Sequence, residues 1–198
     1  GNEDNGEADV IVASYHEGAA TGASLEAARD GGVFSKIVDE GTPVEVANEG
    51  IAGLAPMPPL VLVGLVGPAI ALHNSETLHR ELGERFYVSP NLKALVEAGK
   101  RSYDDEGVAE LLTAPESPVE LTAQQVRERV LGVLAEEVRT MLDDGVAQAP
   151  MDIDLAMITG AGFQFWNGGL TPLLDREGVS EKVTGQRFLP KGVASVPA

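Results

Sequence analysis

His73, Glu76 and His79 make an H-x-x-E-x-x-H pattern that gathers two of the chain's three histidines around one acid. Such residues could ligate a metal or move a proton, if one surface held all of them. On a helix each step of three residues falls about 60° short of a full turn, so the outer histidines diverge by about 120°. A zincin instead sets its histidines four apart on one face, with the acid between them. Glu76-x-x-His79 is also half of a carboxylate di-metal motif, but the second Glu-x-x-His that such a bundle needs is missing. The pattern therefore reads as a polar helix face, with His73 and Glu76 left as a pair able to line a cleft.

Other patterns carry less. Gly160-x-Gly162 lacks a third glycine, follows a helical stretch and opens no βαβ unit, so it fails as a dinucleotide fingerprint. The GAATG at 18–22 lacks the Lys and Ser/Thr that close a phosphate loop. Ser14, Ser75 and Ser89 are nucleophiles by type, but none has the glycine elbow that exposes a catalytic serine. Trp166, with Phe163 and Phe165, is either core or one wall of an apolar groove, and core is the preferred reading. No catalytic residue emerges from these side chains, and no metal site.

The background is acidic: 31 Asp and Glu face 14 Lys and Arg, for a net charge of -17 over 198 residues. Such a surface repels phosphate backbones and anionic lipid, which argues against nucleic-acid or membrane partners. Cysteine is absent, which removes disulfide and thiolate chemistry and fits a cytoplasmic setting. The polar, acidic start is the opposite of a signal peptide.

The elements are helical. Residues 1–32 form an N-terminal segment of uncertain structure, with a short strand conceivable at Val10–Val12 and a small-residue helix after it. Thr42-Pro43-Val44-Glu45 reads as a capping box opening a helix that runs to about Ile51. The chain then enters a run without charge from Leu60 to Leu72, too short for the roughly 20 residues of a membrane span. It is expected to be the buried centre of a helical domain, with Gly67-Pro68 as the joint between two helices. Ser89-Pro90 starts a further helix ending at Gly99. Residues 99–121 are charged and broken by Pro115 and Pro118, with 114–121 as the linker. Thr122 and Gln125 form a second capping box, and Val126, Val130, Leu134, Val138 and Leu142 make one apolar stripe, joined by Val133 and Met141. Gly145 closes that helix, Pro150 opens the next, and another is expected through Leu174 to Gly178.

The halves echo each other. Residues 37–41 (IVDEG) match 141–145 (MLDDG), and 43–51 (PVEVANEGI) align without gaps to 150–158 (PMDIDLAMI). A period near 100 residues reads as a domain duplication, with 33–113 as the first repeat and 122–198 as the second repeat and tail; chance similarity of amphipathic helices is the other reading. Twin units of this kind bury apolar faces on one another.

The second copy also carries a signature: Asp152, Asp154, Ala156-Met157, Gly160, Gly162-Phe163, Gly168-Gly169 and Asp175 through Gly178. The first adds Asp39-Glu40-Gly41, Pro56-Met57-x-Pro59 and Leu65-Val66-Gly67. Over residues 33–198 these resemble the tandem C-terminal domains of 3-hydroxyacyl-CoA dehydrogenases, most closely the multifunctional alpha subunit of bacterial fatty-acid β-oxidation complexes. The tail from Val179 resembles the end of an actinobacterial-type member. The resemblance implies an all-α fold like the C-terminal domain of 6-phosphogluconate dehydrogenase, which braces the enzyme and walls one side of the acyl-CoA cleft. Met57, Pro58, Pro59, His73 and Glu76 are the substrate-contact candidates it suggests. It also implies NAD for the full-length enzyme, bound by an upstream nucleotide-binding domain and not by this chain. A thiolase subunit and a second copy of the chain are the protein partners in view. The residues at 163–166 replace the family's proline-containing turn, which alters that loop. Two readings stay open: a part of the dehydrogenase that is inactive alone, or a non-catalytic helical binding or scaffolding module derived from the family.

Overall fold

The computed structural model describes residues 32–84 and 86–193, and every described element is helical; no strand occurs among these residues. The segment around Val10–Val12 and the GAATG stretch lie outside the described residues. The described chain divides into two compact units, with the boundary after Arg127.

The first unit opens with α1, helical over residues 32–39, followed by α2 (Val44–Glu49), α3 (Pro59–Val66), α4 (Pro68–Leu82) and α5 (Pro90–Glu97). Each of α3, α4 and α5 begins with a proline, whose missing N–H and preset φ cost nothing in a first turn. Gly67 takes φ 106°, a conformation closed to most side chains, and α3 and α4 bend by 105° across it. The predicted joint is therefore real. Ser89 caps α5 by accepting the Leu92 N–H at 3.0 Å. α2 touches α3, α3 touches α4, and α4 packs on α5 over a core that includes Phe34, Ile37, Leu60, Leu92, Leu95 and Val108.

The uncharged run is not all core, however. Leu60, Val63, Ala71 and Leu72 are buried, but Leu65 is 72% exposed and Ile70 53%, with Val61 and Val66 also open to solvent. An apolar helix with no polar face still has only one side turned inward.

Thr42 corrects a second expectation. Pro43, not Thr42, stands at the N-cap of α2, and no side chain caps that helix. The Thr42 hydroxyl instead donates to the Val119 carbonyl (2.9 Å) and accepts the Leu121 N–H (3.0 Å). The Val119 N–H adds a bond to the Glu40 carbonyl at 2.7 Å. Residues 114–121 carry no helix, yet their end is fastened to the α1–α2 corner.

α6 (Ala123–Asp143) is the longest described helix. Its box forms as expected: Gln125 accepts the Thr122 N–H at 2.9 Å and Thr122 accepts the Gln125 N–H at 3.3 Å. Val126, Val130, Leu134 and Val138 are buried, flanked by Leu131 and Ala135, whereas Val133 and Met141 are only partly covered.

Beyond α6 the second unit contains α7 (Pro150–Gly160), a 3₁₀ turn at Phe165–Asn167, α8 (Leu170–Arg176) and α9 (Val179–Thr184). Asp152 accepts the Ala149 N–H at 2.9 Å and so caps α7. α8 lies against α7, α9 and the 3₁₀ turn. The buried Asp175 carboxylate accepts the Ser180 hydroxyl and the Phe188 and Leu189 N–H groups, and Arg187 approaches it at 3.6 Å. What looked like a simple tail is thus α9 followed by a segment anchored on one acid.

Candidate functional site

A groove of about 370 Å³ in the first unit is lined by two of the candidate residues. α2 supplies Glu45, Asn48 and Glu49, the turn supplies Ile51, Ala52, Gly53, Ala55 and Pro56, and Met57-Pro58 close it. One of its lining side chains ties α2 to α3: Asn48 Oδ1 accepts the Leu60 N–H at 3.1 Å, a first-turn donor of α3 that would otherwise be orphaned. The walls are apolar and the rim is acidic.

The sequence candidates separate. Met57 and Pro58 line the groove, Met57 half-buried and Pro58 exposed. Pro59 is buried as the first residue of α3 and does not line it. His73 and Glu76 are exposed on α4 and do not reach it. His79 is engaged locally, with Nδ1 at 2.8 Å from the Phe86 carbonyl oxygen. Among the described residues no group of three or more His, Asp or Glu side chains is placed to hold a metal ion. Asn48 and Glu49 were not singled out from the sequence, and Glu45 only as part of a capping box. Their signal was a helix with two acids four apart, directly preceding the proline cluster.

Near this groove's unit core lies a polar cluster. The Tyr87 hydroxyl donates to Asp39 Oδ2 at 2.9 Å, and Lys36 Nζ stands 5.6 Å from the Tyr87 ring centroid. Burial raises the Asp39 carboxyl above its ordinary value, against the lowering effect of hydrogen bonds including that from Tyr87. Burial and the Asp39 charge push the Tyr87 phenol up, and burial takes Tyr103 up to about 12.

In the second unit Phe163 is core, but Phe165 is 70% and Trp166 64% exposed. Their rings meet edge to face with centroids 5.3 Å apart. The preferred reading of Trp166 as core is therefore wrong: the three-residue 3₁₀ turn carries both rings outward. Gly160-x-Gly162 falls at the C-terminal end of α7, where carbonyls rather than N–H groups are free. Asp154 is raised by burial, opposed by the bonds it receives from Thr171.

Among curated proteins, the chain is 24% identical over 179 residues, 77% of its length, to the protein named "Fatty acid oxidation complex subunit alpha" from Acinetobacter baylyi. It is 31% identical over 176 residues, 76% of its length, to the protein of the same name from Vibrio campbellii. The Vibrio parahaemolyticus protein of that name is 30% identical over 176 residues. The chain spans about a quarter, 25%, of the length of each of these relatives. No protein-family model matches it.

Proposed function

We propose that this chain is the C-terminal helical part of a 3-hydroxyacyl-CoA dehydrogenase of fatty-acid β-oxidation, supplying one wall of the acyl-CoA cleft and an assembly surface. The reaction of the whole enzyme would take a 3-hydroxyacyl-CoA and NAD to the 3-oxoacyl-CoA. The observation that carries this reading is the likeness to fatty acid oxidation complex alpha subunits across 76–77% of the chain. The all-helical architecture agrees with it, as does the placement of Met57 and Pro58 in an apolar groove. The finer assignment to an actinobacterial-type member rests on the tail alone.

The described residues do not fit a nicotinamide nucleotide. They contain no strand and no glycine-rich turn opening a helix from one. Hydride transfer belongs, in this reading, to an upstream nucleotide-binding domain in a cytoplasmic enzyme, with a thiolase subunit or a second copy as further partners. The chain's own residues would hold the acyl arm against apolar walls and exclude water from it.

Calorimetric titration with acetoacetyl-CoA and with NADH, separately, tests the reading. Binding of the ester alone is expected. Binding of NADH would place nucleotide chemistry within the chain and overturn the division of labour, while binding of neither would remove the cleft-wall role. The second reading, a scaffolding module, is favoured by the apolar side chains left open at Leu65 and Ile70 in one unit and at Met151, Leu155 and Trp166 in the other.

A further inference from the structure

We infer that Glu45 and Glu49 set the charge selectivity of the groove, admitting the neutral acyl arm of a CoA ester and turning away chains that end in a carboxylate. The inference rests on the acyl-groove reading above. The two acids lie four residues apart on α2, hence on one face of the helix, and both line the groove. Both are exposed, and among the described residues neither has an ion-pair partner. The third polar side chain, Asn48, is already committed to the Leu60 N–H. No Lys, Arg or His stands on the lining.

A carboxylate entering here loses water and gains no cation, so the transfer is unfavourable. It also meets two like charges at a solvent-open rim. At separations of several ångströms in a high effective dielectric each such repulsion is worth about threefold in affinity, so the pair gives about tenfold. The same repulsion acts on the phosphates of coenzyme A. The ester is therefore oriented with its acyl end in the groove and its nucleotide end out in solvent.

The test is titration of the 198-residue chain with hexanoyl-CoA and with adipoyl-CoA, which share a carbon count and differ by the terminal carboxylate. Hexanoyl-CoA is expected to bind about tenfold more tightly. The Glu45→Gln/Glu49→Gln variant, its fold verified by far-UV circular dichroism, brings the ratio to within about twofold, as does about 1 M salt. Ala52→Trp, which fills the groove, abolishes binding of both esters. An unchanged ratio in the double variant overturns the selectivity, and so does equal affinity of the wild-type chain for both esters when Ala52→Trp removes that binding. Failure of both esters to bind the wild-type chain overturns the acyl-groove reading and the selectivity with it.

Discussion

The Asp154 carboxylate accepts two bonds from Thr171, the N–H at 2.7 Å and the hydroxyl at 2.6 Å, across 17 residues of chain. It is the clamp between α7 and the start of α8. Gly169, just before α8, has φ 122°, and a Cβ there would sit 2.6 Å from Asp154 Cγ. The clamp and the glycine define one another.

Asp154→Ala should cost about 2–4 kcal/mol, because a buried N–H and hydroxyl lose a charged acceptor. Gly169→Ala should cost at least about 2 kcal/mol from strain and clash together. The double variant should lose less than the sum, since removing the carboxylate relieves the clash but not the strained φ. Urea unfolding of the four proteins gives the cycle.

Thr42→Val should lower stability by about 1–3 kcal/mol, leaving the Val119 carbonyl and Leu121 N–H without their partner. Cleavage of the 113–121 segment by a low dose of protease should accelerate with it, as local opening becomes easier. Thr42→Ser, which keeps the hydroxyl, should leave the cleavage rate near that of the wild type.

Gly50→Ala should destabilise by about 1–3 kcal/mol, because its Cβ would lie 2.3 Å from Val126 Cγ1. Its φ of -57° is compatible with alanine, so the cost is steric. Val126→Ala should not rescue it, because the Val126 Cβ, 2.6 Å from the new one, remains; the denaturation midpoint of the double variant checks this.

Trp166 is the sole tryptophan, so fluorescence reports on it alone. Emission should lie at the wavelength of a solvent-exposed indole and be quenched efficiently by acrylamide. Trp166→Ala should change stability by less than about 0.5 kcal/mol, as for other exposed sites.

Asp39 predicts a pH dependence. Its folded carboxyl holds a proton above the ordinary value of 3.8, so between that value and its raised one the folded state binds more protons than the unfolded. The contribution to stability is present at low pH and is lost as pH rises through the folded value. Asp39→Asn, a neutral mimic that can still accept the Tyr87 hydroxyl, should therefore gain on the wild type as pH rises above 3.8. Paired denaturation curves across that range check the sign.

Much of the helical plan was legible because its signals are local. Ser89 caps α5 three residues away, Thr122 and Gln125 close their own box, and Gly67-Pro68 bends the chain where it stands. The valine row of α6 follows from helix period alone. Thr42 shows where such reading stops: its local pattern is a cap, but its hydroxyl found a partner 77 residues on. The candidate site divided in the same way. Met57 and Pro58 line the groove, whereas His73 and Glu76 are exposed on α4 and are not part of its lining.

By itself, then, the sequence determined the helical class, most of the helix starts and the acidic charge, since each depends on composition or on neighbours within one or two turns. Only the tertiary structure decided that Leu65, Ile70 and Trp166 face solvent, that Asn48 holds α3 beside α2, and that Glu45 and Glu49 rim an apolar groove. Exposure and site geometry depend on which distant segments cover a side chain, and hydrophobic patterning within one segment carries no record of that.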